Sequence, residues 1–154
     1  RAVGQVNLAD STSNEWYVTG VQLEAGTASD FEFLPFDVNL ARCQRYYQKS
    51  YDIATSPATV TNNGALWTNI IRNSSNQNYW DVNCYQGMRS SPTVTTYSPS
   101  TGTSGKFEND TDATDRDSAV SNTSSFGFSI RPNSGSGNES GDVVAVHWEA
   151  SAEL

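Results

Sequence analysis

Short runs of alternating apolar and polar residues, closed by Gly, Asn, Ser and Pro, dominate the chain beyond residue 51. Residues 65–72, 79–85, 93–97, 118–122, 126–130 and 142–150 gather β-branched and aromatic side chains between turn signals, which predicts six strands. The segments Asn62-Asn63-Gly64, Asn73-Ser74-Ser75-Asn76, Ser98-Pro99-Ser100-Thr101-Gly102 and Asn133-Ser134-Gly135-Ser136-Gly137 punctuate them as turns. Strands at such short intervals predict an antiparallel β-sandwich or barrel-like domain over residues 51–154. Upstream, Val18, Val21 and Leu23 are the apolar members of a strand over residues 16–23 that stops at Ala25-Gly26-Thr27. Residues 1–34 cannot bury a core alone, so they read as the end of a preceding β-domain whose sheet lies mainly before Arg1. Between the two, Pro35 opens a helix over residues 36–48. Asp37 caps it, and Leu40, Cys43, Gln44 and Tyr47 share one face at i, i+3, i+4, i+7, so residues 35–50 are expected to link the domains.

Composition changes this picture in two ways. Hydrophobic residues are 36% of the 154, yet aromatics reach 11%, so the chain folds but around an economical core. Such a core suits a sheet completed in a larger assembly, where further copies cover exposed edges. Seventeen acidic residues against nine basic ones give a net charge of -8, a field that repels phosphate backbones and anionic headgroups. Nucleic acid and membrane insertion are therefore excluded as expectations, and no apolar run approaches the roughly 18 residues of a membrane helix. The first residue is arginine, which reads as a fragment of something longer. Cys43 and Cys84 have no metal-ligand spacing and are expected to be free thiols, Cys43 buried on the apolar side of the helix.

The order Trp16-Tyr17-Val18-Thr19-Gly20-Val21-Gln22-Leu23-Glu24-Ala25-Gly26, then Phe31-Glu32, then Cys43-Gln44-Arg45-Tyr46-Tyr47, resembles the C-terminal region of bacteriophage tail-fibre and related tail proteins. The closing His147-Trp148-Glu149-Ala150-Ser151-Ala152-Glu153-Leu154 is similar to the ending of that family. Residues 16–51 and 143–154 carry the resemblance; about 60–140 agree only in strand-and-turn pattern. The resemblance implies that residues 1–34 close a jelly-roll domain, that a helix links it onward, and that a small β-domain ends the chain. It further implies a homotrimer joined to upstream tail-fibre segments, a virion location after assembly in the host cytoplasm, and contact with a host surface glycan. A freestanding carbohydrate-binding module of a larger secreted enzyme is the alternative.

Candidate chemistry is sparse. His147 is the single histidine and sits mid-strand, where a structural position is expected. No nucleophile elbow or phosphate loop occurs, and Gly135-Ser136-Gly137 precedes no helix, so no catalysis is expected. A glycan depolymerase would need Asp81 and Asp110 or Asp112 brought together as a carboxylate pair. The run from Glu108 to Asp117 alternates carboxylates with small residues. It reads as a solvated acidic loop in which Asp110, Asp112 and Asp115 would be the ligands of a calcium ion, no cofactor being required otherwise. Trp67, Tyr79, Trp80, Tyr85, Tyr97 and Trp148 offer aromatic faces. Among them the stretch Asn78-Tyr79-Trp80-Asp81 is expected to form an exposed platform for a sugar ring, amide and carboxylate complementing its hydroxyls. Arg42 and Arg45 are suited to pairing with Glu24 or Glu32.

Overall fold

A computed structural model describes residues 17–27, 29–31, 33–70, 80–133 and 139–153. Two compact units emerge, residues 1–35 and residues 36–154.

The described residues of the first unit form neither helix nor strand, which corrects the expected strand over 16–23. An isolated strand has no ladder to complete, and these residues find no partner strand among those described. Their apolar side chains stay in solvent, with Leu23 98% and Phe33 87% exposed. Glu24 is engaged locally, accepting the Ser29 amide at 2.7 Å and its hydroxyl at 2.8 Å. These bonds hold its carboxyl below the usual range. Glu32 lies outside the described residues.

The second unit opens with helix α1, Phe36–Gln44, shorter than the expected 36–48. The helix stops because Tyr47, Gln48 and Lys49 are taken into a strand instead. The strands are β1 (Tyr47–Lys49), β2 (Leu66–Asn69), β3 (Trp80–Asn83), β4 (Thr93–Tyr97), β5 (Lys106–Asn109), β6 (Thr114–Ser124), β7 (Gly127–Pro132) and β8 (Val143–Ser151). All pair antiparallel in one curled eight-stranded sheet.

β8 is its axis. The C-terminal part of β8 lies between β1 and β4, and its N-terminal part between β2 and β5. From β5 the sheet continues through β6 and β7 to β3. A strand flanked on both sides and covered on both faces needs a continuous apolar run. Val143-Val144-Ala145-Val146 supplies it, and Ala145, Val146 and His147 are all fully buried. Along one face of β8, Val144, Val146, Trp148 and Ala150 meet Phe107, Phe128, Ile130, Trp80 and Val82 in a single core. The curl brings distant strands together there, with the Trp148 and Phe128 rings edge to face at 5.2 Å and Trp80 against Phe107 at 5.8 Å. One copy of the chain fills this core, so the economy of apolar residues does not oblige neighbouring copies to complete it.

The acidic stretch is not a loop. Residues 108–117 form most of the β5–β6 hairpin, with Glu108 opposite Asp115 and Asn109 opposite Thr114. Asn109, fully buried, fixes the hairpin to the start of β8 by donating to Asp142 at 2.7 Å and accepting the Thr111 amide at 3.1 Å.

Candidate functional site

Of the four residues of the predicted sugar platform the structure describes two, Trp80 and Asp81, and they lie on opposite faces of β3. Side chains alternate faces along a strand, and β3 turns Trp80 and Val82 inward while Asp81 and Asn83 face solvent. Trp80 is a core residue, 6% exposed, and Asp81 on the other face accepts the Ser129 hydroxyl at 2.7 Å. Neighbours in sequence on one strand could not share a binding surface. Asn78 and Tyr79 lie outside the described residues.

The three proposed calcium ligands are likewise separated in their bonding. Asp112 pairs with Arg116. Asp115 accepts the hydroxyls of Ser98, Ser100 and Thr101, and Asp110 sits exposed in the turn with its amide on the Val143 carbonyl at 2.9 Å. Among the described residues no group of three or more His, Cys, Asp or Glu side chains is placed to hold a metal ion. What the hairpin does contain is an electrostatic cost. Burial, then the Asp110 and Asp115 charges, raise the Glu108 carboxyl above its ordinary range, partly offset by Ser100. Like charges opposite one another on paired strands are destabilising. Glu108→Gln is expected to stabilise the domain by about 0.2–1 kcal/mol at pH 7. The gain should fade in urea titrations run in acid, where Glu108 itself becomes neutral.

A groove that the sequence did not reveal lies beside β1. Its volume is about 440 Å³, within the range of small-ligand sites. Leu40, Cys43 and Gln44 on α1 form one wall, residues 47–53 form the floor, and Tyr85 closes the far side. One buried side chain assembles these parts. The Gln48 amide donates to the Gln44 carbonyl at 2.9 Å and to the Gln86 carbonyl at 2.8 Å, and its oxygen accepts the Tyr85 amide at 2.8 Å. The helix end, the β1 edge and the Tyr85 loop are thus tied through a residue only 3% exposed. Gln48→Leu removes all three bonds while keeping bulk. It should cost about 1–3 kcal/mol for each buried backbone group left without a partner, though water entering from the groove reduces the total. A lowered urea midpoint, with Tyr85 and α1 amides losing hydrogen-exchange protection first, is the expected readout.

Lys49 stabilises the floor, its ammonium donating to the Ile53 carbonyl at 3.0 Å and to the Thr55 carbonyl. Behind it, Glu149 accepts the Tyr47 phenol at 2.7 Å and the Tyr97 phenol. Burial, then these bonds and the Glu149 charge, push the Tyr97 phenol up to about 12 and Tyr47 higher still. Deeper, the fully buried His147 stacks on Tyr51 with ring centroids 3.9 Å apart. Its Nε2 lies 2.9 Å from the Thr61 carbonyl and its Nδ1 2.8 Å from the Ser50 hydroxyl. A carbonyl only accepts, so Nε2 carries the proton and Ser50 donates to Nδ1. Gly64 permits the covering loop to close over this pair. Its φ is +83°, and a Cβ there would collide with the Ser50 carbonyl oxygen.

Both cysteines are free, as expected, but Cys43 is exposed at the groove instead of buried. Truncating the helix at Gln44 leaves its predicted apolar face without a partner layer, and no residue of α1 is buried. Fold and groove together define a class, a small antiparallel β-domain with a lateral aromatic cleft. Comparison with protein-family models, with curated proteins and with solved structures finds no match for the chain.

Proposed function

We propose that this chain is the non-catalytic, trimer-forming distal module of a bacteriophage tail fibre, assembled in the host cytoplasm, carried on the virion, and engaging a host surface glycan through the groove beside β1. The resemblance of residues 16–51 and 143–154 to tail-fibre C-terminal regions supports this reading. The single observation that carries it is the exposure of large apolar side chains among the described residues 17–27, 29–31 and 33. Leu23, Phe33, Tyr17 and Val21 are each at least 75% exposed, an amount of unburied apolar surface that suits association with upstream fibre segments and further copies. The net charge of -8 agrees with a partner that is neither nucleic acid nor an anionic membrane.

One observation favours a second reading, a carbohydrate-binding module of a larger secreted enzyme: residues 36–154 fill their core with one copy. Light scattering or sedimentation equilibrium on the purified chain separates the two. A trimer stable to dilution is the expected result; a monomer that still binds polysaccharide would replace the fibre by the module.

A further inference from the structure

The groove is lined by aromatic and apolar side chains, yet its charges are unequally available. Tyr85 and Ile53 are 72% and 74% exposed and face the cleft with Leu40 and Tyr47. Lys49 is the one cation lining it, and its ammonium is committed to the Ile53 and Thr55 carbonyls. Asp52, exposed at the same cleft, has no cationic partner among the described residues, where the ion pairs are Lys106 with Asp117 and Arg116 with Asp112. The groove therefore offers an unneutralised carboxylate and a cation turned to structural use, on a chain of net charge -8.

We propose that the groove takes an uncharged pyranose and rejects acidic sugars; this rests on the receptor reading above. The apolar C–H face of a sugar ring lies on Tyr85, as aromatic rings with a polar rim favour. Its hydroxyls donate to the Asp52 carboxylate and exchange hydrogen bonds with the Gln44 amide, both among the lining side chains. A uronate, sialate or sugar phosphate would bring a second anion to Asp52 with no free cation to receive it, and like charge brought together without neutralisation selects against such a partner.

The test uses the full chain and two matched oligosaccharide sets, neutral hexose and N-acetylhexosamine chains and the same chains bearing uronate or sialate, followed by calorimetry and by protection of Cys43. That thiol is exposed in the groove and is read by its rate of maleimide labelling. Neutral chains should bind, slow Cys43 labelling, and lose about tenfold or more in affinity in Tyr85→Ala, a difference of about 1.4 kcal/mol. Asp52→Lys should admit the acidic set. Equal binding of acidic and neutral chains overturns the proposal, as does neutral binding that leaves Cys43 labelling unchanged or survives Tyr85→Ala. Should that variant misfold, Cys43 protection in the unmodified chain decides alone. Adsorption of the labelled protein to a panel of bacterial strains is measured alongside. If cells are bound but neither sugar set is, the ligand class fails and the receptor reading stands; if neither cells nor sugars are bound, both fail.

Discussion

Trp148→Ala is expected to destabilise the β-domain by about 3–5 kcal/mol, enough to unfold a marginal domain at ambient temperature. Trp148→Phe should cost only about 1–2 kcal/mol. The difference follows from where the indole sits and what its nitrogen does. Trp148 is 3% exposed, lies on the strand that pairs with four others, and meets the Phe128 ring edge to face. Removing it opens a void between β8 and β7, which the curl of the sheet brings together. The indole N–H, however, is buried with no hydrogen-bond partner among the described residues. A phenyl ring thus keeps most of the apolar contact and sacrifices no bond. Urea midpoints for the two variants check this. If Phe is as damaging as Ala, the indole nitrogen has a partner and the packing account is wrong. The unfolding midpoint of the parent also bears on assembly. A core filled by one copy predicts a midpoint for residues 36–154 that does not depend on protein concentration, even if residues 17–33 drive trimers.

The strands legible in the sequence are those rich in β-branched and aromatic residues and bounded by strong turn signals. Residues 93–97 match β4 to the residue, and the strand expected over 142–150 matches β8 within one residue at each end, because β-branched and aromatic side chains leave no competing periodicity. β5 and the first half of β6 were hidden by chemistry of another kind. Glu108, Asp110, Asp112, Asp115 and Asp117 look like a solvated loop, yet the hairpin is fixed by contacts distant in sequence: Phe107 in the core, Asn109 on Asp142, and Asp115 under three hydroxyls. Asn109-Asp110-Thr111-Asp112 was the available signal, a turn-former cluster between Phe107 and the strand beyond. Local spacing assigns β1 to the helix, because Tyr47 continues the helical face of Cys43; pairing with Glu149, Ala150 and Ser151 outweighs that local preference. The groove was less legible still. Tyr85 was counted among the aromatics, but Gln48 carries no sign in sequence that it is buried or that it joins residues 44, 85 and 86. Trp80 shows the converse, an aromatic beside amides and a carboxylate that a period of two sends to the opposite face.

Acid is expected to weaken the domain through His147, beginning below the unfolded-state pKa of about 6.5. The ring is fully buried, and that burial lowers its folded pKa, with the Thr61 carbonyl opposing in part. As the pH falls, the unfolded chain takes up a proton that the folded chain refuses. Stability is therefore complete above about pH 6.5 and is lost progressively below it, at a slope approaching about 1.4 kcal/mol per pH unit until the folded pKa is reached. Protonation also reverses a hydrogen bond. Once Nδ1 carries a proton, Ser50 must accept from it and turn its own hydrogen to the Trp148 carbonyl, 3.3 Å away, while the Trp148 amide already donates to the same hydroxyl at 3.0 Å. The groups around the ring are Tyr51 stacked on it, Tyr97 paired across from it, and Glu149 two residues along β8, whose charge is shared by two phenols. Lys49, opposite Glu149 in the β1–β8 register with its ammonium on the Ile53 and Thr55 carbonyls, adds positive charge on the β1 side. Glu108 works in the opposite sense, since its raised pKa makes the folded chain the better proton binder as pH falls toward the carboxylate range. The measurement is therefore made between pH 7.5 and 5 in both the parent and Glu108→Gln, so that the carboxyl contribution is removed. Urea midpoints should fall with pH in both and stay level in His147→Gln, whose amide can still donate to Thr61 but takes up no proton. A level profile in the parent would mean that folding does not shift the imidazole's protonation, and the same decline in His147→Gln would mean that the acid sensitivity lies elsewhere in the sheet.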